Sequence, residues 1–376
     1  MDVDVAIVGA GIAGAALARA LRGLRIALVA EDAAAPAAPA QGFDARVYAI
    51  TPGNAAFLGS LEAWPREATA VRAMRVFGDD GRARLEFDAY RAGVAALAWI
   101  VEDSRLQAAI RGSRDEALAA RLQGMRLEQD AACLELSTGA TLGARLVVGA
   151  DGARSLVRDA AGIAARHEPY PQHAVVANFA CERAHRNTAF QWFQGGPVLA
   201  LLPLPGDHVS MVWSTDESRA GRLLGLAPES LCHEVGAAAG HVLGELRLVT
   251  PARAFPLRRL KAARMAAPRV ALAGDAAHVL HPLAGQGANL GLQDVRSLAA
   301  ALAAREPGRD PGDPALLRRY ERARAADVLA MEATVHGLYR LFEAPARPWA
   351  MLRNAGLNLT DRLPVIKNLL MRQAMA

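Results

Sequence analysis

Residues 3–8, Val3-Asp4-Val5-Ala6-Ile7-Val8, run directly into Gly9-Ala10-Gly11-Ile12-Ala13-Gly14 at the start of the chain. The first six residues are largely apolar and predict a buried parallel strand, and the alanine-rich residues 15–21 predict a helix. A second strand is expected over residues 25–30, directly before Glu31. A Gly-x-Gly-x-x-Gly turn between a strand and a helix is typical of dinucleotide-binding α/β folds.

The three glycines of this turn each have a separate steric reason. Gly9 permits the tight turn, Gly11 lets a pyrophosphate approach the backbone, and Gly14 lets the helix lie close to the strand. The first helical amides, at Ile12 and Ala13, present free N–H groups and a partial positive charge. We therefore expect these five residues to bind the phosphates of a dinucleotide.

A carboxylate, Glu31, follows the second predicted strand, about twenty residues after the turn. At that position an acid accepts hydrogen bonds from ribose hydroxyls and disfavours a cofactor with a 2′-phosphate. The turn and the acid predict a dinucleotide site, but they do not distinguish FAD from NAD.

Two later segments share another pattern, a strand that ends in a polar turn. They are Leu146-Val-Val-Gly-Ala-Asp151-Gly152-Ala-Arg-Ser155 and Val270-Ala-Leu-Ala-Gly274-Asp275-Ala-Ala-His278. A carboxylate such as Asp275, at the mouth of a sheet, is placed to hold a ribityl hydroxyl.

A glycine-rich stretch, Gly285-Gln-Gly287-Ala288-Asn289, follows the second of these segments. Its glycines allow the backbone to run close to a flat ring, and residues 289–296 predict a helix. The first amides of that helix would stabilise negative charge on a reduced isoalloxazine ring. We therefore expect Gly285, Gly287, Ala288 and Asn289 to contact a flavin.

Taken in chain order, the three motifs resemble those of the group A flavin monooxygenases, the para-hydroxybenzoate hydroxylase-like family. In that family the first motif binds the ADP part of FAD, the Asp-Gly motif contacts FAD and bears on NAD(P)H, and the Gly-Asp motif binds the ribityl chain. Two family arginines that approach FAD are matched here by Arg46 and Arg105. The resemblance implies FAD binding by Gly9, Gly11, Gly14, Glu31, Arg46, Arg105, Asp151, Gly152, Gly274 and Asp275.

One branch of that family is similar over nearly the whole chain: the ubiquinone-biosynthesis FAD-dependent hydroxylases of the UbiH, UbiF and VisC type. The block His278-Val-Leu-His281-Pro-Leu-Ala-Gly285-Gln-Gly-Ala-Asn289 is the most specific part of this similarity. Trp99-Ile-Val-Glu-Asp103 resembles a Tyr-Ile-Val-Glu-Asn stretch of the branch, with Asp103 in place of the usual asparagine. Gly196-Pro-Val-Leu-Ala-Leu-Leu-Pro203-Leu resembles another stretch of the branch.

The expected fold class is α/β, with a Rossmann-like FAD-binding domain, an inserted mixed β-sheet substrate domain and a helical C-terminus. Strands of the inserted sheet are predicted over residues 174–180, 189–193, 198–204 and 209–214. We assign residues 1–75, 98–168 and 262–312 to the FAD-binding domain, residues 76–97 and 169–261 to the substrate domain, and residues 313–376 to the C-terminal helices.

The last two of these strands form a predicted hairpin without charge, with Leu201 and Pro203 on one strand and Met211 and Trp213 on the other. In the family this hairpin lines the substrate pocket, which implies that these four residues contact the substrate. An arginine here would pair with a carboxylated substrate, and its absence favours a neutral, hydrophobic phenol. The alternative is that the four side chains are ordinary sheet core.

Two histidines, His278 and His281, stand at a spacing that is compatible with metal binding or acid–base chemistry. No carboxylate or cysteine cluster accompanies them in the sequence, so we expect no metal site. His281 and Pro282 fall at the expected flavin edge, where a structural or oxygen-positioning role is favoured. The flavin itself is expected to carry the chemistry.

The composition is that of a globular protein, with 52% hydrophobic and 22% charged residues. The net charge of +5 includes no dense basic run with interleaved aromatic residues, so nucleic-acid binding is not expected. Three isolated cysteines do not form a disulfide framework, and no apolar run reaches the ~18 residues that span a membrane. We expect a cytoplasmic protein, peripheral to the inner membrane if it touches one. The apolar residues 335–376 predict either a helical cap or a contact with the membrane or a biosynthetic complex.

The function implied by the resemblance is hydroxylation of a polyprenylated phenol in ubiquinone biosynthesis. NAD(P)H would bind transiently and reduce FAD, and O₂ would form the C4a-hydroperoxyflavin that hydroxylates the ring. Two alternatives stay open: a flavin monooxygenase of a soluble aromatic or polyketide substrate, and a non-catalytic flavin- or quinone-binding accessory protein.

Overall fold

The structure, a computed structural model, describes residues 2–32, 34, 36–37, 42–78, 84–112, 117–281 and 286–343. Its strands are β1 (Asp2–Val8), β2 (Ile26–Ala30), β3 (Val47–Ile50), β4 (Thr69–Val71), β5 (Ala73–Phe77), β6 (Arg84–Asp88), β7 (Ala98–Glu102), β8 (Leu118–Ala119), β9 (Leu122–Leu127), β10 (Ala132–Leu136), β11 (Thr141–Gly149), β12 (Ala165–Cys181), β13 (Thr188–Phe193), β14 (Val198–Leu204), β15 (His208–Thr215), β16 (Leu246–Ala262), β17 (Ala266–Ala267), β18 (Val270–Leu272) and β19 (His278–Val279). Its α-helices are α1 (Ile12–Ala20), α2 (Pro52–Ser60), α3 (Asp103–Arg111), α4 (Leu156–Ala160), α5 (Glu217–Leu224), α6 (Pro228–Ala238), α7 (Gln286–Ala303) and α8 (Pro314–Glu343), and Gly274–Ala276 forms a 3₁₀ turn.

A first sheet carries the three sequence motifs. Its main path runs β17-β18-β11-β1-β2-β8, with β10 and β9 attached beyond β11. β1 pairs in parallel with β2 and β11, and β11 pairs in parallel with β18. The three motifs follow β1, β11 and β18, so they meet at one edge because the carboxyl ends of parallel strands lie together.

A second, eight-stranded sheet has the order β19-β16-β12-β15-β14-β13-β5-β6. It is antiparallel except for the parallel pair β13 and β5, which makes it the mixed sheet that the sequence predicts. Helices α5 and α6 cover one of its faces, where Leu223, Leu231 and Val235 pack against the strands. The predicted fold class is confirmed: a parallel nucleotide-binding sheet is combined with a mixed sheet.

A small third sheet, β3-β7-β4, lies between the two large ones. Val47 and Ala49 of β3 pack towards Leu204 of the second sheet, and Ile50 belongs to the core of the first. The third sheet therefore fixes the distance between the motif edge and the uncovered face of the second sheet.

The division into domains stays a prediction. Two strands of the second sheet begin a few residues before the predicted boundaries after residues 75 and 168, at Ala73 and Ala165. The helix predicted from residue 289 begins earlier, at Gln286, as α7. Within the predicted C-terminal helices, α8 runs from Pro314 to Glu343. None of the helices in the described ranges is both long and apolar enough to cross a membrane. The predicted C-terminal contact beyond residue 343 lies outside the described residues.

A buried charged network joins α7 and α8 to the 3₁₀ turn. The Asp294 carboxylate accepts hydrogen bonds from the Gly274 amide (3.0 Å), His278 Nε2 (2.7 Å) and Arg324 Nε (2.8 Å). Asp294 is 0% exposed, and His278 and Arg324 are almost as deeply buried. The Asp294 carboxylate, which accepts from three donors, thus fastens the 3₁₀ turn that presents Asp275 to α7 and α8.

We predict that Asp294→Ala lowers the free energy of unfolding by about 3–5 kcal/mol, because it removes the one buried carboxylate that Arg324, His278 and the Gly274 amide share. Urea denaturation measures the loss. The matched control is Asp327→Ala, which removes the other carboxylate on Arg324, one whose side chain is 64% exposed. The control should cost less than about 1 kcal/mol, and equal losses for the two variants would contradict the prediction.

The ion pair of His278 and Asp294 predicts that the stability of the protein depends on pH. Burial by itself lowers the pKa of His278, but the Asp294 carboxylate outweighs burial and the pKa is raised. The contribution of His278 is therefore complete below about pH 6.5, its unfolded value, and is lost as the pH rises through the folded pKa. We expect the unfolding free energy of His278→Gln to fall less steeply than that of the parent protein as the pH rises above about 6.5. Identical pH profiles of unfolding free energy for the two proteins would contradict this prediction.

Candidate active site

The glycine turn after β1 shows which of its glycines serve packing. Gly9 has φ +102°, and a Cβ there would overlap the carbonyl of Ala150. A Cβ on Gly14 would overlap the Gly9 carbonyl oxygen, whereas a Cβ on Gly11 would meet nothing within 4 Å. Gly9 and Gly14 are therefore required by the protein itself, and Gly11 faces the open space that a ligand would occupy.

The start of α1 fits an anionic ligand. Gly11 is the N-cap residue and provides no side-chain cap, so the amides of the first turn, which include Ile12 and Ala13, are directed towards the open space. Glu31 directly follows β2 and is exposed. An uncapped helix start flanked by an exposed carboxylate suits the pyrophosphate and ribose of the ADP half of FAD.

The Asp-Gly motif after β11 makes part of its contacts within the protein. Asp151 Oδ2 accepts a hydrogen bond from the Val157 amide at 3.2 Å, so this carboxylate supports the start of α4. Burial raises the pKa of Asp151. Gly152 has φ +80°, which favours glycine in this turn. The predicted contact of Asp151 and Gly152 with FAD stays a prediction.

The Gly-Asp motif packs against the first motif. Gly274 has φ +62°, and a Cβ there would lie 3.2 Å from the Ala13 Cβ and 4.0 Å from the Gly291 Cα. The 3₁₀ turn, α1 and α7 therefore converge at one point, with Gly274 and Gly291 supplying the space. Asp275 is exposed beside this point, where it can reach a ribityl hydroxyl.

The Asn289 side chain is a positioning group within the protein, and the predicted contact of residue 289 with the flavin stays a prediction. It is 1% exposed. Its Oδ1 accepts hydrogen bonds from the Thr51 amide (2.9 Å) and Asn54 Nδ2 (3.0 Å), and its Nδ2 donates to the Ala49 carbonyl (2.7 Å). The amide is fully used in fastening α7 to β3 and α2, and sequence spacing alone could not show that. The first-turn residues Gly287 and Ala288 of α7 are partly exposed, whereas the predicted contacts Pro282 and Gly285 lie outside the described residues.

Arg46 and Arg105 lie at one edge of the third sheet, because β3 pairs with β7 just before α3. The Arg46 guanidinium stands over the Tyr48 ring, 5.0 Å from its centroid. Arg105 Nε donates to Glu102 Oε1 at 2.7 Å. The sequence reasoning missed Tyr48, whose phenol pKa is raised chiefly by burial.

His281 is a buried, neutral histidine. Gln172 Nε2 donates to the Gly196 carbonyl, so its Oε1 accepts from His281 Nε2 at 3.0 Å. Burial lowers the pKa of His281 to about 4, and the edge of its ring contacts Tyr170 with ring centroids 4.8 Å apart. This arrangement joins β12 to the segment before α7. No group of three potential metal ligands occurs among the described residues.

The predicted substrate residues lie on the covered face of the second sheet. Leu201, Met211 and Trp213 are 0% exposed and belong to the core under α5 and α6. Pro203 shares their face by strand alternation. The burial of these side chains favours the alternative, that they are ordinary sheet core under α5 and α6, and their predicted contact with the substrate stays a prediction.

The face of the second sheet away from α5 and α6 carries the residues that alternate with these four along β14 and β15. Ala200 and Leu202 of β14 and Val212 of β15 alternate with the covered residues, so they lie on the face away from α5 and α6, and they are partly exposed. Leu202 also packs against Phe43 and the third sheet. These side chains, rather than the predicted four, are the hydrophobic residues of the hairpin that stay partly exposed.

We predict that Gly11→Ala and Gly14→Ala separate ligand binding from folding. Gly11→Ala should keep the unfolding free energy of the apoprotein within about 1 kcal/mol but weaken FAD binding about tenfold or more, because its methyl group takes space next to the phosphates. Gly14→Ala should lower the apoprotein's unfolding free energy by about 2 kcal/mol or more through overlap with the Gly9 carbonyl. Urea denaturation and flavin fluorescence titration measure both, and equal apoprotein losses would contradict this reading.

Comparison with known proteins identifies the family. Residues 2–334 match the family described as FAD binding domain. The chain is 39% identical to the ubiquinone hydroxylase UbiL of Rhodospirillum rubrum, over 99% of this chain and 89% of that protein. It is 33% identical to the 3-demethoxyubiquinol 3-hydroxylase of Escherichia coli, over 99% of this chain and 98% of that protein.

A solved structure supports the fold. The crystal structure of PqsL, a probable FAD-dependent monooxygenase from Pseudomonas aeruginosa, superposes with a TM-score of 0.74 at 25% identity, over 95% of this chain and 99% of that one. The predicted family and the predicted cofactor, FAD, are thus confirmed. The chain belongs to the FAD-binding-domain family and, within it, to the FAD-dependent monooxygenases that include the ubiquinone-biosynthesis hydroxylases.

Proposed function

We propose that this enzyme hydroxylates the aromatic ring of a polyprenylated phenol in ubiquinone biosynthesis, with O₂ as co-substrate and NAD(P)H as transient electron donor. The names of its relatives support the pathway: they include the ubiquinone hydroxylase and the demethoxyubiquinol hydroxylase, each aligned over 99% of this chain.

The apolar character of the uncovered sheet face carries the proposal. Ala200, Leu202 and Val212 lie on this face and each is partly exposed, and we place the ring of the substrate against them. A carboxylated substrate would need a bidentate cation at such a position to offset the loss of its hydration. Three small or aliphatic side chains instead suit a neutral ring with a hydrocarbon substituent.

The chain's own residues bind and orient, and FAD, when bound, supplies the oxygen-transfer chemistry. In this proposal the amides at the start of α1 hold the pyrophosphate, Glu31 the ribose and Asp275 the ribityl chain. His281 stays neutral near pH 7 and holds β12 against the segment before α7. The apolar face positions the ring and excludes water from it.

The proposal includes a peripheral contact of a cytoplasmic protein with the inner membrane, or with a biosynthetic complex, through the C-terminal helices. A prenylated substrate is membrane-soluble, so the enzyme must meet it at a surface.

The decisive experiment is quinone analysis of host strains that each lack one ring hydroxylase and carry this gene. We expect one strain to regain ubiquinone, and the strain rescued identifies the ring carbon. If no strain recovers although flavin-loaded protein is present, the pathway is wrong. Turnover of small soluble phenols would then favour a soluble aromatic substrate, and no NAD(P)H oxidation with any phenol would favour an accessory role.

Val212→Trp tests the substrate face in the same assay. The indole would fill the space above the sheet, so hydroxylation should fall by about a hundredfold while FAD affinity stays within about twofold. Leu224→Trp is the matched control, because this side chain of α5 is 44% exposed on the opposite side of the sheet. Unchanged hydroxylation by Val212→Trp would place the substrate elsewhere.

A further inference from the structure

A buried arginine at the end of α3 touches the glycine turn of the FAD site. Arg111 is 7% exposed. Its Nε donates to the Ala10 carbonyl at 2.9 Å, and its Nη1 donates to the Asp32 carbonyl at 3.2 Å. Ala10 directly precedes Gly11, and Asp32 directly follows Glu31. One guanidinium therefore joins the two chain segments that border the ADP half of the site.

The chemistry of this contact requires arginine. A guanidinium donates from several nitrogens in a fixed plane, so it can hold two carbonyls at a set separation, whereas a lysine ammonium is a single compact charge. Burial lowers the pKa of Arg111, yet a guanidinium stays protonated in proteins. Its charge also lies next to the positive end of α1, and an anionic ligand balances both.

A second arginine forms the reverse contact between the same two helices. Arg19, in the last turn of α1, donates through Nη1 to the carbonyls of Ala109 (3.2 Å) and Ile110 (3.1 Å) at the end of α3. It therefore fastens α1 to α3 through carbonyls outside the glycine turn. A substitution of Arg19 therefore alters the packing of α1 against α3 without removing a contact to the glycine turn, and it serves as a control for Arg111.

We propose that Arg111 is a positioning residue for the ADP half of FAD. It sets the separation between the glycine turn and the Glu31 segment by holding the Ala10 and Asp32 carbonyls. It acts through these two segments, and the isoalloxazine half of the site does not depend on it. The inference rests on FAD binding and is independent of the proposed substrate.

The test compares Arg111→Gln, Arg111→Lys and the control Arg19→Gln. Apoprotein is titrated with FAD, and ADP is titrated separately by competition. We expect Arg111→Gln to weaken ADP and FAD binding by the same factor, about tenfold or more, because the two segments are no longer held at the separation that the ADP half requires. Arg111→Lys keeps the charge without the fork, so its loss should be intermediate.

Two further readouts separate positioning from general packing. Arg19→Gln should leave the ADP affinity within about twofold of the parent, even where it lowers the unfolding temperature of the apoprotein. FAD bound to the Arg111 variants should keep the parent absorption spectrum, because the ring end of the site is unchanged.

Three outcomes would overturn the proposal. One is an ADP affinity within about twofold of the parent in Arg111→Gln. Another is an equal loss of ADP affinity in Arg111→Gln and Arg19→Gln, which would mean that helix packing alone is responsible. The third is a loss for FAD without a loss for ADP, which would place the effect at the flavin end. If Arg111→Gln does not fold, the same comparisons are made with Arg111→Lys.

Discussion

The close approach of α1, the 3₁₀ turn and α7 is the constraint on which the site depends. Gly14 lets α1 lie against the Gly9 carbonyl, and Gly274 and Gly291 leave room for Ala13. A side chain at Gly274 or Gly291 would crowd segments that are far apart in the chain. Since the helix start and the Asp275 turn must face one ligand together, the glycines determine cofactor binding through packing as much as through backbone freedom.

Buried polar groups hold this arrangement from behind. Asp294 fixes the 3₁₀ turn to α7 and α8, and the Asn289 amide fixes α7 to β3 and α2. Arg111 does the same for the glycine turn. Such groups are costly to bury unless every donor and acceptor is matched, so they favour one relative placement of the elements over its neighbours. The ligand-facing residues can then remain exposed and uncommitted.

The second sheet shows how apolar surface is divided between core and site. Its strands are apolar on both faces near the hairpin, but α5 and α6 bury only one of them. Leu201, Met211 and Trp213 stabilise the sheet, and Ala200, Leu202 and Val212 are left partly exposed on the other face. These three side chains give the hairpin a hydrophobic patch on its uncovered face.

The sequence by itself determined the strand–turn–helix unit, the family, the cofactor and most of the motif residues, because glycine spacing and apolar periodicity are local properties. It also predicted the strands at residues 198–204 and 209–214 closely. Only the tertiary structure decided which face of that hairpin is covered, that the Asn289 side chain binds protein, and that Arg111 reaches the glycine turn. Each of these depends on contacts between residues about 80 to 240 positions apart or on helix placement, and no local pattern in the chain encodes such contacts.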